Sequence, residues 1–128
     1  MKKNTVDLIT YDTKTDEYVL HLTENDYRSK EDAVHENQLP KIQDRIFDTI
    51  DTVIDGHLME KYFETFNKKI RIQIDLKSAP DPHLTELIAQ IKNHLKKDEY
   101  KNAIEQSKFI KDLQVVTNNQ AVRDYLDA

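Results

Sequence analysis

Cysteine and tryptophan are absent from this 128-residue sequence, and Gly56 is its single glycine. Without cysteine the chain has no disulfide, no thiolate zinc site, no iron–sulfur cluster and no thiol nucleophile. With one glycine it cannot form a glycine-rich phosphate loop, a dinucleotide-binding fingerprint or a G-x-S-x-G elbow. These absences exclude many enzyme classes, and we expect neither a cofactor nor a bound metal.

Long hydrophobic runs are also missing, and the mean hydropathy is −0.78. No segment has the length of a membrane span or of a signal-peptide core, so we expect a cytoplasmic protein that does not bind membranes. The 24 acidic residues outnumber the 19 basic ones, giving a net charge of −5. This balance argues against nucleic-acid binding, which requires Lys and Arg to displace counterions from phosphates.

The acidic surplus lies in the first half of the chain. Residues 1–66 contain 15 acidic and 8 basic residues, whereas residues 67–128 contain 9 and 11. The length fits a single domain spanning residues 1–128. Such an asymmetry predicts an acidic face on one part of its surface.

The first half of the chain predicts a β-hairpin followed by a long helix. Residues 6–10 and 17–22 are apolar, β-branched runs flanking a polar turn. A polar loop is expected over residues 23–30. The helix is expected to become regular near Pro40 and to end at Gly56, in the left-handed conformation. Its apolar stripe contains Leu39, Ile42, Ile46, Phe47, Ile50, Val53 and Ile54.

The second half predicts further helices and strands. A short helical segment is expected to press Leu58, Tyr62, Phe63 and Phe66 onto the core. Residues 69–76 alternate between apolar and polar, which is typical of a strand with one buried face. Asp81 and Pro82 are a suitable cap and first residue for a second amphipathic helix. The remaining segments predict a helix, a short strand and a final helix, over 100–107, 113–117 and 121–126.

These elements predict an α+β fold, a two-layer sandwich in the order β-β-α-β-α with a C-terminal α-β-α extension. The helices are expected on one face of an antiparallel sheet of three or four strands. A strand order of 2-1-3 would make every neighbouring pair antiparallel. Residues 6–97 would form the core and residues 98–128 the extension.

Three segments, occurring in order, resemble a family of small bacterial domains of unknown function. They are the opening V-D-L-I-T-Y-D-T-K-T-D-E-Y-V-L over 6–20, the helix end T-V-I-D-G-H-L over 52–58, and the strand over 70–76 with the proline-rich break after it. The resemblance covers residues 6–97. It implies the hairpin, long helix, strand and helix, and it implies no activity.

The clearest functional pattern is an acidic stripe on the long helix. Asp44, Asp48, Asp51 and Asp55 follow one another at steps of four, three and four, so they share a face opposite the apolar stripe. One interpretation is a docking surface for a basic protein, of the kind an immunity protein offers to a basic nuclease. The other is a solvated helix face. Aligned aspartates repel one another by a few tenths of a kcal/mol per pair.

Catalytic and metal-binding patterns are weaker. The histidines lack the H-x-x-x-H spacing of a helical zinc site, and no serine lies in a nucleophile elbow. A small hydrolase or ligand-binding protein that gathers Asp, Glu and His through its fold remains the alternative function. The histidines are His21, His35, His57, His83 and His94, and the serines are Ser29, Ser78 and Ser107; no catalytic or metal-binding residue is assigned among them.

A modest basic area is expected from Lys68, Lys69, Arg71, Lys96 and Lys97. No aromatic residue interleaves with it, so it favours solubility over nucleic-acid binding. It is also a candidate contact for the acidic helix of a second copy. If the third strand lies at the sheet edge, Lys69 and Arg71 would discourage aggregation there. We therefore expect a non-catalytic protein-interaction module that binds a basic protein or itself.

Overall fold

The computed structural model describes residues 6–24, 35–76 and 82–119. The loop expected over 23–30 is wrong at its first two residues, because Thr23 and Glu24 belong to the second strand, and its remainder lies outside the described residues. The cap at Asp81 and the final helix over 121–126 also lie outside them. The elements, in chain order, are β1 (Leu8–Asp12), β2 (Glu17–Glu24), α1 (His35–Ile54), α2 (His57–Lys61), a 3-10 turn (Phe63–Thr65), β3 (Lys68–Leu76), α3 (Pro82–Leu95), α4 (Asp98–Gln106) and β4 (Ile110–Asn119).

The strands form one mixed sheet in the order β1-β2-β3-β4. The β1–β2 hairpin is antiparallel, whereas β3 is parallel to both β2 and β4. The predicted α+β class is confirmed, and the fourth strand is present. The all-antiparallel sheet and the 2-1-3 order are wrong. The expectation that β3 lies at a sheet edge is wrong as well, because β3 is central.

The strand order explains why a largely parallel sheet keeps one polar face. The chain moves from β2 to β3 to β4 in one direction across the sheet, and crossovers of one hand then place their helices on the same side. Alternate residues of the strands pack with α1 and α3 in one apolar core. The alternation in β3 therefore indicates a sheet covered on one face, and it does not indicate antiparallel pairing.

The core forms from the faces that the sequence predicts. Ile42, Ile46, Ile50 and Val53 of α1 are buried, and they pack with residues of β2, β3, β4 and α3. The residues from His35 onward are already helical, so the expectation that the helix becomes regular near Pro40 is wrong; Pro40 lies inside α1. Proline removes one backbone hydrogen bond and crowds the preceding turn, and the helix nevertheless continues past it to Ile54.

Gly56 separates α1 from α2 as predicted. It has a φ of 94° and a ψ of −1°, which is the left-handed region that glycine adopts without a steric penalty. The Phe109 ring packs against its Cα, because a Cβ built on Gly56 would lie 2.9 Å from two ring atoms. Backbone conformation and close packing therefore both favour glycine here.

Gly56→Ala is expected to lower the free energy of unfolding by about 2 kcal/mol, because alanine is strained in the left-handed region and its Cβ would displace Phe109. Urea denaturation would measure the change. The double variant Gly56→Ala/Phe109→Ala removes the ring contact and leaves the backbone strain. If Gly56→Ala has the same urea midpoint as the unchanged protein, neither backbone strain nor displacement of Phe109 destabilises the variant.

Candidate functional site

The predicted acidic stripe lies on the outer face of α1, away from the core. Asp44, Asp51 and Asp55 are exposed and Asp48 is half-buried. Asp55, directly after the helix, accepts a hydrogen bond from the backbone N–H of His57 at 3.0 Å. Its carboxylate also lies 2.9 Å from the His57 Nδ1. The stripe therefore extends to the junction of α1 with α2.

The field of the stripe reaches a neighbouring helix. Burial, together with the negative charges of Asp51 and Glu99, raises the pKa of Tyr100 above its usual value. Tyr100 packs against Phe47 with ring centroids 6.0 Å apart, so α4 lies beside the stripe. The electrostatic surface thus includes the first turn of α4.

Arg45 fixes the position of α1 on the hairpin. Its guanidinium donates to the backbone oxygen of Thr23 at 2.9 Å and to the carboxylates of Glu24 and Asp7 at 2.7 Å each. Burial acts against its charge, but the hydrogen bonds to Glu24 and Asp7 outweigh burial and raise the pKa of Arg45. The helix is therefore anchored through a residue outside the stripe.

Two exposed phenylalanines form a surface that the sequence does not predict. Phe63 is 75% exposed and Phe66 47% exposed, with their rings stacked at a centroid distance of 6.3 Å. Both were expected on the core, so that expectation is wrong; Leu58 is buried and Tyr62 half-buried, as predicted. The 3-10 turn and the extended Phe66 that follows it direct both rings outward. Helical spacing in the sequence could not reveal this change of direction.

The segment that carries this aromatic pair is well fixed. Thr65 is buried and its hydroxyl donates to the Tyr62 oxygen at 2.8 Å. The N–H of Asn67, which has a φ of 59°, donates to the Phe109 oxygen at 2.9 Å. Phe109 therefore contacts both Asn67, which follows Phe66, and Gly56, which follows Asp55.

The other face of the sheet carries a polar network. The strand register places Thr10, Val19, Arg71 and Gln114 in one row across the four strands. Val19 is 3% exposed although it lies outside the apolar core. Thr10 and Arg71 are its neighbours in this row.

A chain of three polar side chains crosses this face. The Thr10 hydroxyl lies 2.9 Å from His21 Nε2, and His21 Nδ1 lies 2.8 Å from Asp75 Oδ2. Asp75 is 4% exposed and also accepts hydrogen bonds from Gln73 and Asn118. An exposed hydroxyl, a half-buried imidazole and a buried carboxylate thus follow one another. His21 and Asp75 are 54 residues apart, so sequence spacing could not link them.

Arg71 joins the acidic residues of the hairpin. Its guanidinium lies 3.0 Å from the Asp12 carboxylate and 3.4 Å from that of Glu17. Glu17 is 5% exposed and accepts a second hydrogen bond from Gln114. The predicted basic area is therefore reduced, because Arg71 is balanced by two carboxylates. Lys68 is 3.6 Å from Asp16, while Lys69, Lys96 and Lys97 are exposed.

The remaining candidates are not brought together. His57 and His83 are exposed, and His94 makes an edge contact with Phe47 at 6.3 Å. Ser107 donates to the Ile54 oxygen. In the described ranges, no three His, Asp or Glu residues are arranged to hold a metal. An open depression of about 630 Å³ at the α3–α4 junction includes one histidine, His94. Ser29, Ser78 and the side chain of His35 lie outside the described residues.

Comparisons with protein-family models, curated proteins and solved structures find no match. The resemblance to small bacterial domains of unknown function therefore stays a prediction. Among the described helices, none is long and apolar enough to cross a membrane.

Proposed function

We propose that this protein is a protein-interaction module, and that the outer face of α1 is its docking surface for a basic protein. The observation that carries the proposal is the aspartate stripe on the outer face of α1; the exposed aromatic pair on the 3-10 turn adds an apolar element to it. We define this docking surface as Asp44, Asp48, Asp51, Asp55, Phe63 and Phe66.

The charge of the docking surface favours a basic partner. Its four carboxylates follow one helix face, and complementary charge across an interface accelerates association and selects partners. Arg45, a cation of α1, forms ion pairs with Asp7 and Glu24 of the hairpin. An immunity-type role, in which the module blocks a basic nuclease, would use such a surface.

The aromatic pair supports protein binding independently of charge. Interface energy is concentrated in a few residues, with aromatic anchors prominent among them. Phe63 and Phe66 are held on a turn fixed by Thr65 and Asn67, so little ordering entropy would be lost on binding. The partner is therefore expected to combine a basic rim with an apolar pocket.

The proposal is tested by capturing partners from the native cells, first with the unchanged protein and then with a variant in which all four stripe aspartates are changed to asparagine. Asparagine preserves shape and removes charge. We expect the variant to bind its identified partner roughly tenfold to a hundredfold more weakly at low salt, because close charge pairs couple by that order of energy. The purified partner's dissociation constant, measured by calorimetry, is the readout.

A matched control changes four exposed acids elsewhere to the corresponding amides: Asp16, Glu86, Glu105 and Asp112. It alters the net charge by the same amount and is expected to leave capture unchanged. If both variants weaken partner binding equally, the effect comes from net charge and not from the stripe. If the same partners are recovered in equal yield with the stripe variant, the docking surface is wrong. Self-association is the runner-up, and a doubled mass in light scattering that the stripe variant abolishes would support it.

A further inference from the structure

We propose a second, independent activity that goes beyond partner binding: the open face of the sheet hydrolyses small carboxylic esters, with Thr10 as nucleophile, His21 as general base and Asp75 as positioning residue. The contacts that carry it are Thr10 Oγ1 to His21 Nε2 at 2.9 Å and His21 Nδ1 to Asp75 Oδ2 at 2.8 Å. Nucleophile, base and orienting group recur in this relation on unrelated folds.

The tautomer of His21 follows from its partners. An ionised carboxylate only accepts hydrogen bonds, so the Nδ1 facing Asp75 carries the proton. Nε2 is then an acceptor, and the Thr10 hydroxyl donates to it. Gln73 and Asn118 hold the buried Asp75 carboxylate in place, which fixes the imidazole ring. Thr10 itself is exposed, so an ester can approach its hydroxyl.

The reaction balances with water as the co-reactant. The Thr10 oxygen attacks the ester carbonyl carbon while its proton passes to His21 Nε2, and the carbonyl oxygen takes the electron pair. The intermediate collapses, the C–O bond to the alcohol breaks, and the alcohol leaves with the proton from Nε2. Water then attacks the acyl-Thr10 ester, losing a proton to His21. The acid is released and the Thr10 hydroxyl is restored.

The test uses the full chain with p-nitrophenyl acetate as the probe. Thr10→Val keeps the shape of the side chain and removes the hydroxyl. We expect it to hydrolyse the probe at least about tenfold more slowly than the unchanged protein. Thr10→Ser keeps a hydroxyl and is expected to retain activity. Acid quenching followed by mass spectrometry is expected to locate an acetyl group on residue 10 of the unchanged protein.

Two controls separate this site from background reactivity. Thr85→Val removes an exposed hydroxyl on α3, and His57→Gln removes an exposed imidazole with a carboxylate neighbour. Both are expected to react like the unchanged protein. Equal rates for Thr10→Val and the unchanged protein, or acetylation found only at other residues, would overturn the proposal. Partner binding by Thr10→Val is expected to be unaffected, since the docking surface lies on α1 and the 3-10 turn.

Discussion

Replacing Arg71 by alanine is expected to lower the free energy of unfolding by about 2 kcal/mol, because it removes the half-buried cation that contacts two carboxylates. The partner most affected is Glu17, whose side chain is 7% exposed. Asp12 loses a shorter but more exposed contact. Urea denaturation at neutral pH would measure the loss.

The double variant Arg71→Ala/Glu17→Gln is the matched control. It removes the orphaned charge, and we expect it to recover part of the lost stability; the double-mutant cycle then gives the coupling between the two residues. A loss below about 1 kcal/mol for Arg71→Ala would mean that this pair behaves as an exposed salt bridge.

The same substitution is expected to change the response to acid. The hydrogen bond from Arg71, as the largest cause, lowers the pKa of Asp12 below its ordinary 3.8. A carboxyl group with a lowered folded-state pKa stabilises the protein above its unfolded-state pKa. That stabilisation is lost as the pH falls through the folded-state value. Below pH 3.8, the unchanged protein should therefore lose more stability than Arg71→Ala does.

Changing both Phe63 and Phe66 to serine is expected to weaken partner binding by roughly 30-fold for each ring, about 2 kcal/mol each. Stability should change little, since substitutions at exposed positions stay within about 0.5 kcal/mol. Calorimetry with the purified partner gives the first quantity and urea denaturation the second.

A control for lost apolar surface is Leu8→Ser on β1, because Leu8 is 57% exposed and lies outside the docking surface. It is expected to leave binding unchanged. If the Phe63/Phe66 variant binds as tightly as the unchanged protein, the aromatic pair is not an anchor. The acidic stripe would then have to account for binding without it.

Elements with strong periodicity were predictable from the sequence, whereas their arrangement was not. Residues close together in the sequence determine four of these features: the hairpin, the apolar stripe of α1, the strand β3 and the cap at Gly56. The strand order depends on how α1 and the α3–α4 segment return the chain to the start of the next strand. The alternation in β3 is compatible with parallel or antiparallel neighbours when only one face is covered, so it could not decide between them.

The candidate sites also differ in whether local sequence or long-range arrangement determines them. The stripe from Asp44 to Asp55 was predictable because one helix carries it. The Phe63–Phe66 pair depends on a 3-10 turn, and the Thr10–His21–Asp75 chain depends on the pairing of β2 with β3. Long-range register brings these residues together, and no spacing in the sequence reports it.

Whether charge on α1 selects a basic partner is decided by the salt dependence of partner binding. The dissociation constant of the purified partner is measured at low and high ionic strength for the unchanged protein and for the variant with asparagine at the four stripe positions. We predict steep weakening with salt for the unchanged protein and a much shallower dependence for the variant, since salt screens exposed charges. Equal affinities and equal salt dependence for the two proteins would mean that charge on α1 does not select the partner.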